Sequence, residues 1–128
     1  MRVMVTGGTG FVGSHTVQHL VNDGHDVHLL ARSSDRIAPA MGPLGVEGVS
    51  HTVGDVTDAR SVETAMEGCD AVIHSASVFT LDKRRASEIR QVNIRGTEVV
   101  LGTAQRLGLD PIVHVSSTAA LYPSDGQT

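Results

Sequence analysis

Short apolar runs alternate along this chain with longer segments in which apolar side chains recur at helical spacing. The runs contain few polar side chains, which is typical of strands that helices cover on both faces of a parallel sheet. They predict five strands: Arg2–Thr6, Asp26–Ala31, Val49–Val53, Ala71–His74 and Pro111–Val115. The helically spaced segments predict three helices: Phe11–Asn22, Asp58–Glu67 and Lys83–Leu107.

Particular residues mark the ends and faces of the predicted helices. Gly24 stands where the first helix would end, and either Thr57 or Asp58 would cap the second. Prolines and glycines recur in the stretch Arg32–Gly48, which we expect to form a loop with one short helical turn. The long third helix would bury one stripe: Ile89, Val92, Val99, Val100 and Leu101.

The order of the elements predicts how the strands pair. Strands that alternate with helices lie parallel through crossover connections, which are right-handed in nearly all proteins. We therefore predict the α/β class, with a doubly wound parallel sheet and helices on both faces, formed by residues 1–128 as one domain. Folds of this kind bind ligands at the carboxyl ends of their strands. The unusual clusters of this sequence fall at such ends: residues 7–13, 32–34, 55, 75–77 and 116–118.

Glycine recurs at every third position in the first predicted turn, at Gly7, Gly10 and Gly13. A strand that turns directly into a helix points the first N–H groups of the helix, and the positive end of its dipole, at the space above the sheet. A diphosphate reaches these groups only where no Cβ intervenes. Gly7 would permit the sharp turn, Gly10 the approach of the phosphates and Gly13 the closing of the helix on the strand. The turn therefore predicts a dinucleotide site.

Composition narrows the class of protein. The chain has 128 residues, of which 40% are hydrophobic and 19% charged, as is typical of a globular domain. Its formal net charge of −4 gives no basic surface for nucleic acid, and the cluster Lys83, Arg84 and Arg85 is too short to change that. No apolar stretch approaches the roughly 20 residues of a membrane span, and the N-terminus does not resemble a signal peptide. With a single cysteine, Cys69, these features predict a cytoplasmic protein without a membrane partner.

Several segments resemble, in the same order, those of the extended short-chain dehydrogenase/reductase family, which includes NAD-dependent epimerases, dehydratases, dihydroflavonol reductases and hydroxysteroid dehydrogenases. Residues 6–13 (TGGTGFVG) resemble its TGxxGxxG fingerprint, and residues 54–58 (GDVTD) resemble its GDxxD segment. Residues 74–77 (HSAS) are similar to its HxA segment and residues 93–97 (NIRGT) to its NxxGT helix motif. Residues 115–122 (VSSTAALY) resemble the strand that carries the active-site Ser or Thr.

The resemblance covers essentially the whole chain and implies a Rossmann-type NAD(P)-binding domain. The enzyme would be an NAD(P)-dependent oxidoreductase or an epimerase/dehydratase, with a small-molecule substrate that carries a carbonyl or secondary alcohol. By position, Thr118, with Ser117 as the neighbouring candidate, would bind the substrate oxygen, and Asn93 would brace the catalytic site or bind water. The implied cofactor-binding residues are Thr6, Gly7, Gly10, Phe11, Val12, Gly13, Arg32, Ser33, Asp55, Val56, Ser75, Ala76 and Ser77.

The residue that ends the second strand distinguishes the two nicotinamide cofactors. An acidic side chain there would accept hydrogen bonds from the ribose hydroxyls and repel a 2′-phosphate. This sequence instead has Ala31, followed by Arg32 and Ser33, with Arg36 nearby. Because a guanidinium pairs with a phosphate through two hydrogen bonds, we expect NADP(H) as the cofactor, with NAD(H) as the alternative.

The Tyr-x-x-x-Lys pair that the resemblance implies for catalysis does not occur in this sequence. Tyr122, the only tyrosine, matches a structural residue of the family, and the only lysine, Lys83, precedes it. We therefore expect the chain to be the N-terminal portion of a longer enzyme or the product of a truncated gene, inactive by itself. The alternative is a non-catalytic NAD(P)-binding module that senses redox state. Without a sixth strand the fifth would be an unpaired edge, so we expect either a homo-oligomer or poor solubility of the isolated chain.

Two arrangements that could carry other chemistry are incomplete. His15 and His19 have the i, i+4 spacing of zinc ligands on a helix, but no third ligand is evident, so we expect no metal. Cys69 has no base beside it, and we expect a packed, unreactive thiol. His74 would either be a hydrogen-bonded core residue or touch the cofactor.

Overall fold

A computed structural model describes residues 1–121, so the prediction for Tyr122 lies outside the described residues. Five strands form one sheet: β1 (Arg2–Thr6), β2 (Asp26–Ala31), β3 (Ser50–Val53), β4 (Ala71–His74) and β5 (Ile112–His114). Within the described range the chain also forms four α-helices: α1 (Phe11–Asn22), α2 (Ile37–Met41), α3 (Ala59–Met66) and α4 (Ala86–Leu107).

All strands of the sheet run parallel, in the order β3-β2-β1-β4-β5. The central strand is β1, whose Val5 pairs with Leu29 of β2 on one side and with Ile73 of β4 on the other. The chain moves outward from β1 to β2 and β3, then returns across β1 to β4 and β5. This reversal is the doubly wound arrangement that the sequence predicted, and it opens a crevice at the carboxyl ends of β1 and β4.

Alternate residues of the central strand contribute to the two halves of the core. Met4 is fully buried in a cluster with Val62 of α3 and Val100 of α4. Val3 and Val5 belong to the second cluster, on the face covered by α1 and α2. Both faces of β1 are therefore apolar, and full burial of each such side chain stabilises the fold by about 1.5 to 3 kcal/mol.

The stretch Arg32–Gly48 is more regular than the sequence predicted. Instead of a loop with one helical turn, it contains α2 between two 3-10 turns, Ser34–Arg36 and Gly42–Leu44. Pro39 does not prevent the helix because it lies in the first turn, where backbone N–H groups have no helical acceptor. Met41 is buried in the cluster beneath α1, so apolar burial holds the segment against the sheet.

The second and third predicted helices begin slightly later than expected. Asp58, rather than Thr57, caps α3, because its carboxylate accepts hydrogen bonds from the N–H groups of Arg60 at 3.3 Å and Ser61 at 3.2 Å. The hydroxyl and the N–H of Ser61 lower the pKa of Asp58 below its usual range. Lys83–Arg85 forms a 3-10 turn ahead of α4 instead of its first turn.

The buried face of α4 lies mainly in its C-terminal half. Gly96, at the middle of the helix, and Ala104 are also buried, although the sequence analysis did not place them in the core. Of the predicted stripe, Val99 and Val100 are buried, and the other three members are half-buried: Ile89, Val92 and Leu101.

β5 lies at one edge of the sheet and pairs within residues 1–121 only with β4. Ile112, Val113 and Val115 are 38%, 42% and 41% exposed, although all three are apolar. The edge is the one that the sequence predicted, and association between copies through it stays a prediction. None of the described helices is both long enough and apolar enough to cross a bilayer.

Candidate functional site

The site begins at the turn between β1 and α1. Gly7 has a φ of +72°, which side chains other than glycine rarely allow, and a Cβ there would lie 2.6 Å from the backbone nitrogen of Ala76. A Cβ on Gly13 would overlap the carbonyl group of Gly7. Bare main chain at these two positions therefore lets α1 start directly over the end of β1.

The N-terminus of α1 has no side-chain cap. Gly10 is the N-cap residue, with ordinary extended angles (φ −85°, ψ 174°), and its N–H donates to the carbonyl of Gly7 at 3.0 Å. The N–H groups in the first turn of a helix have no acceptor within the helix and carry the positive end of its dipole. This turn therefore offers several donors and a partial positive charge to one anion.

A cleft of about 410 Å³ runs above the carboxyl ends of the strands. It extends from Arg32, after β2, and Asp55, after β3, across the glycine turn to residues 75–78, after β4. Asn93 reaches it from α4. The predicted cofactor-binding residues that line it are Gly7, Gly10, Phe11, Val12, Gly13, Arg32, Asp55, Val56, Ser75, Ala76 and Ser77.

Other predicted site residues do not line this cleft. Thr6 is fully buried beneath the glycine turn, and Ser33 follows Arg32 without reaching the cleft wall. Ser117 and Thr118 lie on the exposed segment after β5, where the Ser117 hydroxyl accepts the N–H of Ala119 at 3.2 Å. Both residues therefore follow the carboxyl end of β5, three and four residues after its last residue, and neither is part of the cleft wall.

Charged groups flank the adjoining ends of β2 and β3. Arg32 and Arg36 both line the cleft, both are exposed, and neither forms an ion pair within residues 1–121. The Ser33 hydroxyl accepts a backbone N–H at 3.3 Å, which leaves its own proton available. The Oδ1 atom of Asp55 accepts both the N–H and the hydroxyl of Thr57 at 2.8 Å, and these bonds fix the carboxylate.

A buried hydrogen-bonded network supports the cleft from below. The Thr6 hydroxyl lies 2.7 Å from Nδ1 of His74 and accepts the N–H of Ala76 at 3.2 Å. His74 is 1% exposed, and its burial, together with the stacked ring of His114, lowers its pKa to about 4. The imidazole is therefore neutral near pH 7. His74 is thus a hydrogen-bonded core residue, one of the two roles that the sequence left open.

Sequence reasoning missed part of the cleft wall. Gly96 carried a signal, because a glycine inside a helix often marks a close approach, and a Cβ there would lie 2.8 Å from a methyl group of Val56. Val78 carried no such signal, because Asn93 contacts its backbone and not its side chain. The lining residues that were missed are Thr9, Leu30, Gly54, Val78, Val92 and Gly96.

The other candidate groups that the sequence offered, the two histidines of α1 and Cys69, are not part of the cleft wall. No cluster of three potential metal ligands occurs among residues 1–121, and Nδ1 of His15 lies 2.9 Å from the Phe11 carbonyl of its own helix. Cys69 is half-buried, and burial raises the pKa of its thiol. Its sulfur lies 3.5 Å from the carbonyl oxygen of Ala65, as expected of a packed thiol.

The parallel sheet, the glycine turn and the cleft at its switch point define a Rossmann-type domain. The sequence pattern of the NAD dependent epimerase/dehydratase family matches residues 3–128, and the chain belongs to this family. This agrees with the resemblance that the motifs indicated.

Individual relatives show how much of a family member the chain represents. It is 38% identical to a 3 beta-hydroxysteroid dehydrogenase/Delta 5-->4-isomerase of Mycobacterium tuberculosis, over 94% of this chain and 32% of that protein. A UDP-glucose 4-epimerase of Neisseria meningitidis is 32% identical, over 98% of this chain and 39% of that protein. The solved structure of a UDP-glucose-4-epimerase from Stenotrophomonas maltophila, with bound NAD and formylated UDP-arabinopyranose, matches with a TM-score of 0.83 at 26% identity, over 98% of this chain and 39% of that one. The chain spans about a third of the length of the curated relatives it matches.

Proposed function

We propose that this chain is the cofactor-binding portion of an NADP(H)-dependent oxidoreductase that acts on a carbonyl or secondary-alcohol substrate. The observation that carries the proposal is the uncapped N-terminus of α1, which opens onto the cleft over a glycine turn. Family membership supports a nicotinamide dinucleotide as the ligand. An epimerase or dehydratase reaction with the same cofactor is the second candidate, which the similarity to UDP-glucose 4-epimerases favours.

Each part of a dinucleotide has suitable partners along the cleft. The first-turn N–H groups of α1 would bind the diphosphate, and Gly10 leaves that approach open. The adenosine half would lie on the side of β2 and β3, where Asp55 offers a carboxylate oxygen to an amino group and Val56 an apolar surface. The nicotinamide half would extend past β4, and when bound it supplies or accepts a hydride.

One of two neighbouring hydroxyls after β5 would hold the substrate. Thr118, or its neighbour Ser117, would donate a hydrogen bond to the substrate oxygen at the nicotinamide end of the cleft. Such a bond polarises a carbonyl and stabilises the negative charge that develops on its oxygen during hydride addition. The exposure of this segment, which follows the strand next to β4, supports the role.

The charges after β2 favour NADP(H) over NAD(H). A 2′-phosphate on the adenosine half would meet the guanidinium groups of Arg32 and Arg36. β2 ends at Ala31, so no carboxylate stands at the position from which it would repel this phosphate. Asp35 lies in the same turn, but two guanidinium groups and one carboxylate leave the turn positive.

Calorimetric titration of the chain with NADPH and with NADH tests this assignment. We expect NADPH to bind more tightly, and Arg32→Ala to weaken its binding about tenfold or more, because a hydrogen bond to a charged group contributes about 1.5 to 3 kcal/mol. NADH binding should change little. Arg90→Ala removes an exposed arginine outside the cleft and is the matched control. Tighter binding of NADH would contradict the cofactor preference, and binding of neither would contradict the proposed function.

A further inference from the structure

The side chain of Asn93 pairs with the backbone of a single residue across the cleft wall. Its Oδ1 accepts the N–H of Val78 at 2.8 Å, and its Nδ2 donates to the carbonyl of Val78 at 2.9 Å. The amide thus binds both polar groups of Val78, as a neighbouring strand would. Paired bonds of this kind fix position and orientation together, which a single bond does not.

This pairing is the principal tie between the loop after β4 and the rest of the protein. The beginning of that loop is anchored on β1, because the Ser75 hydroxyl and the Ala76 N–H bond to Thr6 at 2.8 Å and 3.2 Å. The next residues of the loop, 77–81, have fewer ties. Within residues 1–121, the hydrogen bonds that join them to another element are the two with Asn93. Packing adds little there, since Phe79 is 82% exposed.

The helix that carries Asn93 is itself held firmly beside the cleft. One turn further along, Oγ1 of Thr97 lies 3.3 Å from Nε2 of the buried His74. Gly96, between them, lets α4 approach Val56 so closely that a Cβ would lie 2.8 Å from its methyl group. Asn93 therefore projects from a part of α4 that is held in place, and this part of the helix connects the two side walls of the cleft.

We propose that Asn93 is a positioning residue: through Val78 it holds the loop after β4 as the wall against which the nicotinamide half of the dinucleotide lies. The inference rests on the proposed function, in which the adenosine half occupies the side of Arg32 and Asp55. Val78 and the residues before it line the opposite end of the same cleft. The effect of Asn93 on binding is therefore confined to one half of the ligand.

Removal of the amide should weaken the binding of the nicotinamide half of the ligand and leave the binding of the adenosine half unchanged. In Asn93→Ala the loop would become ordered only on binding, so we expect NADPH to bind about tenfold more weakly. We expect 2′,5′-ADP, which represents the adenosine half alone, to bind as it does to the unchanged chain. Gln91→Ala removes an exposed amide from the same helix and should alter neither affinity.

Calorimetric titrations of the unchanged chain, Asn93→Ala and Gln91→Ala with NADPH and with 2′,5′-ADP decide the matter. Selective weakening of NADPH binding in Asn93→Ala supports the proposal. Equal affinities in all three proteins, or an equal loss for both ligands in Asn93→Ala, overturn it while the proposed function stands. Failure of the unchanged chain to bind either ligand overturns the proposed function, and this inference with it.

A second measurement keeps the proposal testable if Asn93→Ala does not fold. The Val78 N–H of the unchanged chain, without ligand, should exchange its hydrogen with solvent at least tenfold more slowly than the unprotected amide of Phe79. Asn93→Asp has the same shape but cannot donate to the Val78 carbonyl, and we expect it to bind NADPH more weakly with 2′,5′-ADP unaffected. An unprotected Val78 amide in the unchanged chain overturns the proposal.

Discussion

His74, at the end of β4, connects the central strand β1 to α4 beneath the cleft. Its Nδ1 lies 2.7 Å from the Thr6 hydroxyl and its Nε2 lies 3.3 Å from the Thr97 hydroxyl. The Thr6 hydroxyl also accepts the N–H of Ala76, so the imidazole belongs to one buried network that includes β1, α4 and the loop after β4. A neutral ring fits this network, whereas a second ring proton would place a charge in the core.

This arrangement predicts that the chain loses stability in mild acid. The unfolded chain binds a proton at His74 below pH 6.5, but the folded chain does so only near pH 4, because burial lowers the pKa of the imidazole to about 4. The contribution of His74 is therefore complete above pH 6.5 and declines as the pH falls toward 4, by up to about 3 kcal/mol. Urea unfolding between pH 7.5 and roughly 4 measures this decline.

His74→Gln is the control for that experiment. We expect the variant to be less stable at pH 7.5 but to have a flatter dependence on pH. His28 contributes a decline of the same sign, since burial lowers its pKa as well, so the difference between the two proteins isolates His74. Equal slopes in the two proteins would contradict the account.

At the residue scale, the sequence predicted steric roles better than contacts. The turn at Gly7 and the crowding at Gly13 could be inferred because glycine alone fits such backbone and the spacing is local. The partner of Asn93 lies 15 residues away in the sequence, and Thr6 and His74 are 68 residues apart. Such contacts depend on how the strands pair, and they leave no pattern in either segment.

α2 shows how packing organises a stretch that propensity leaves irregular. The segment contains a proline and is only five residues long, which is too short to form an isolated helix in water. Met41 nevertheless lies in the same apolar cluster as Val17 of α1 and Leu29 of β2. Burial of this side chain, rather than the helical hydrogen bonds, accounts for the order of the segment.

We therefore expect Met41→Ala to lower the free energy of unfolding by about 3 kcal/mol, through lost burial and the cavity left behind. Equilibrium unfolding in urea measures the change. Leu81→Ala, at a position that is 87% exposed, should change stability by less than about 0.5 kcal/mol. A similar small loss in Met41→Ala would show that the segment does not depend on this contact.

At the element scale, the burial of a strand determines how well the sequence predicts where that strand begins and ends. β1, β2 and β4 have the predicted bounds because they are covered on both faces and their apolar runs match their lengths. The edge strands β3 and β5 are shorter than predicted, since each is paired on one side only. The order of these elements was enough to predict the crevice, but not the cleft wall contributed by α4, which depends on how the helix packs.

The whole molecule concentrates its binding groups along one edge of a parallel sheet. The helix N-terminus, the guanidinium groups after β2 and the loop after β4 are distant in sequence but border one cleft. The helix N-terminus predicts the site of the diphosphate, and the groups on either side of it extend this prediction to the two halves of a dinucleotide. Their common position at the switch point of the sheet supports the proposed function.

The most direct test of that function is a pair of glycine substitutions. A Cβ at Gly10 meets only the Gly7 carbonyl oxygen, at 3.3 Å, a tight contact that a small shift of this carbonyl relieves, so we expect Gly10→Ala to fold while its methyl group occupies the approach of the diphosphate. Gly102→Ala adds the same methyl group to α4, where no heavy atom lies within 4 Å, and should raise stability by about 1 kcal/mol with binding unchanged.

Calorimetric titration with NADPH of the unchanged chain and both variants completes the test. We predict that the unchanged chain and Gly102→Ala bind NADPH alike, and that Gly10→Ala, although folded, binds it at least tenfold more weakly. Equal binding by Gly10→Ala would contradict the claim that bare main chain at this turn receives the diphosphate.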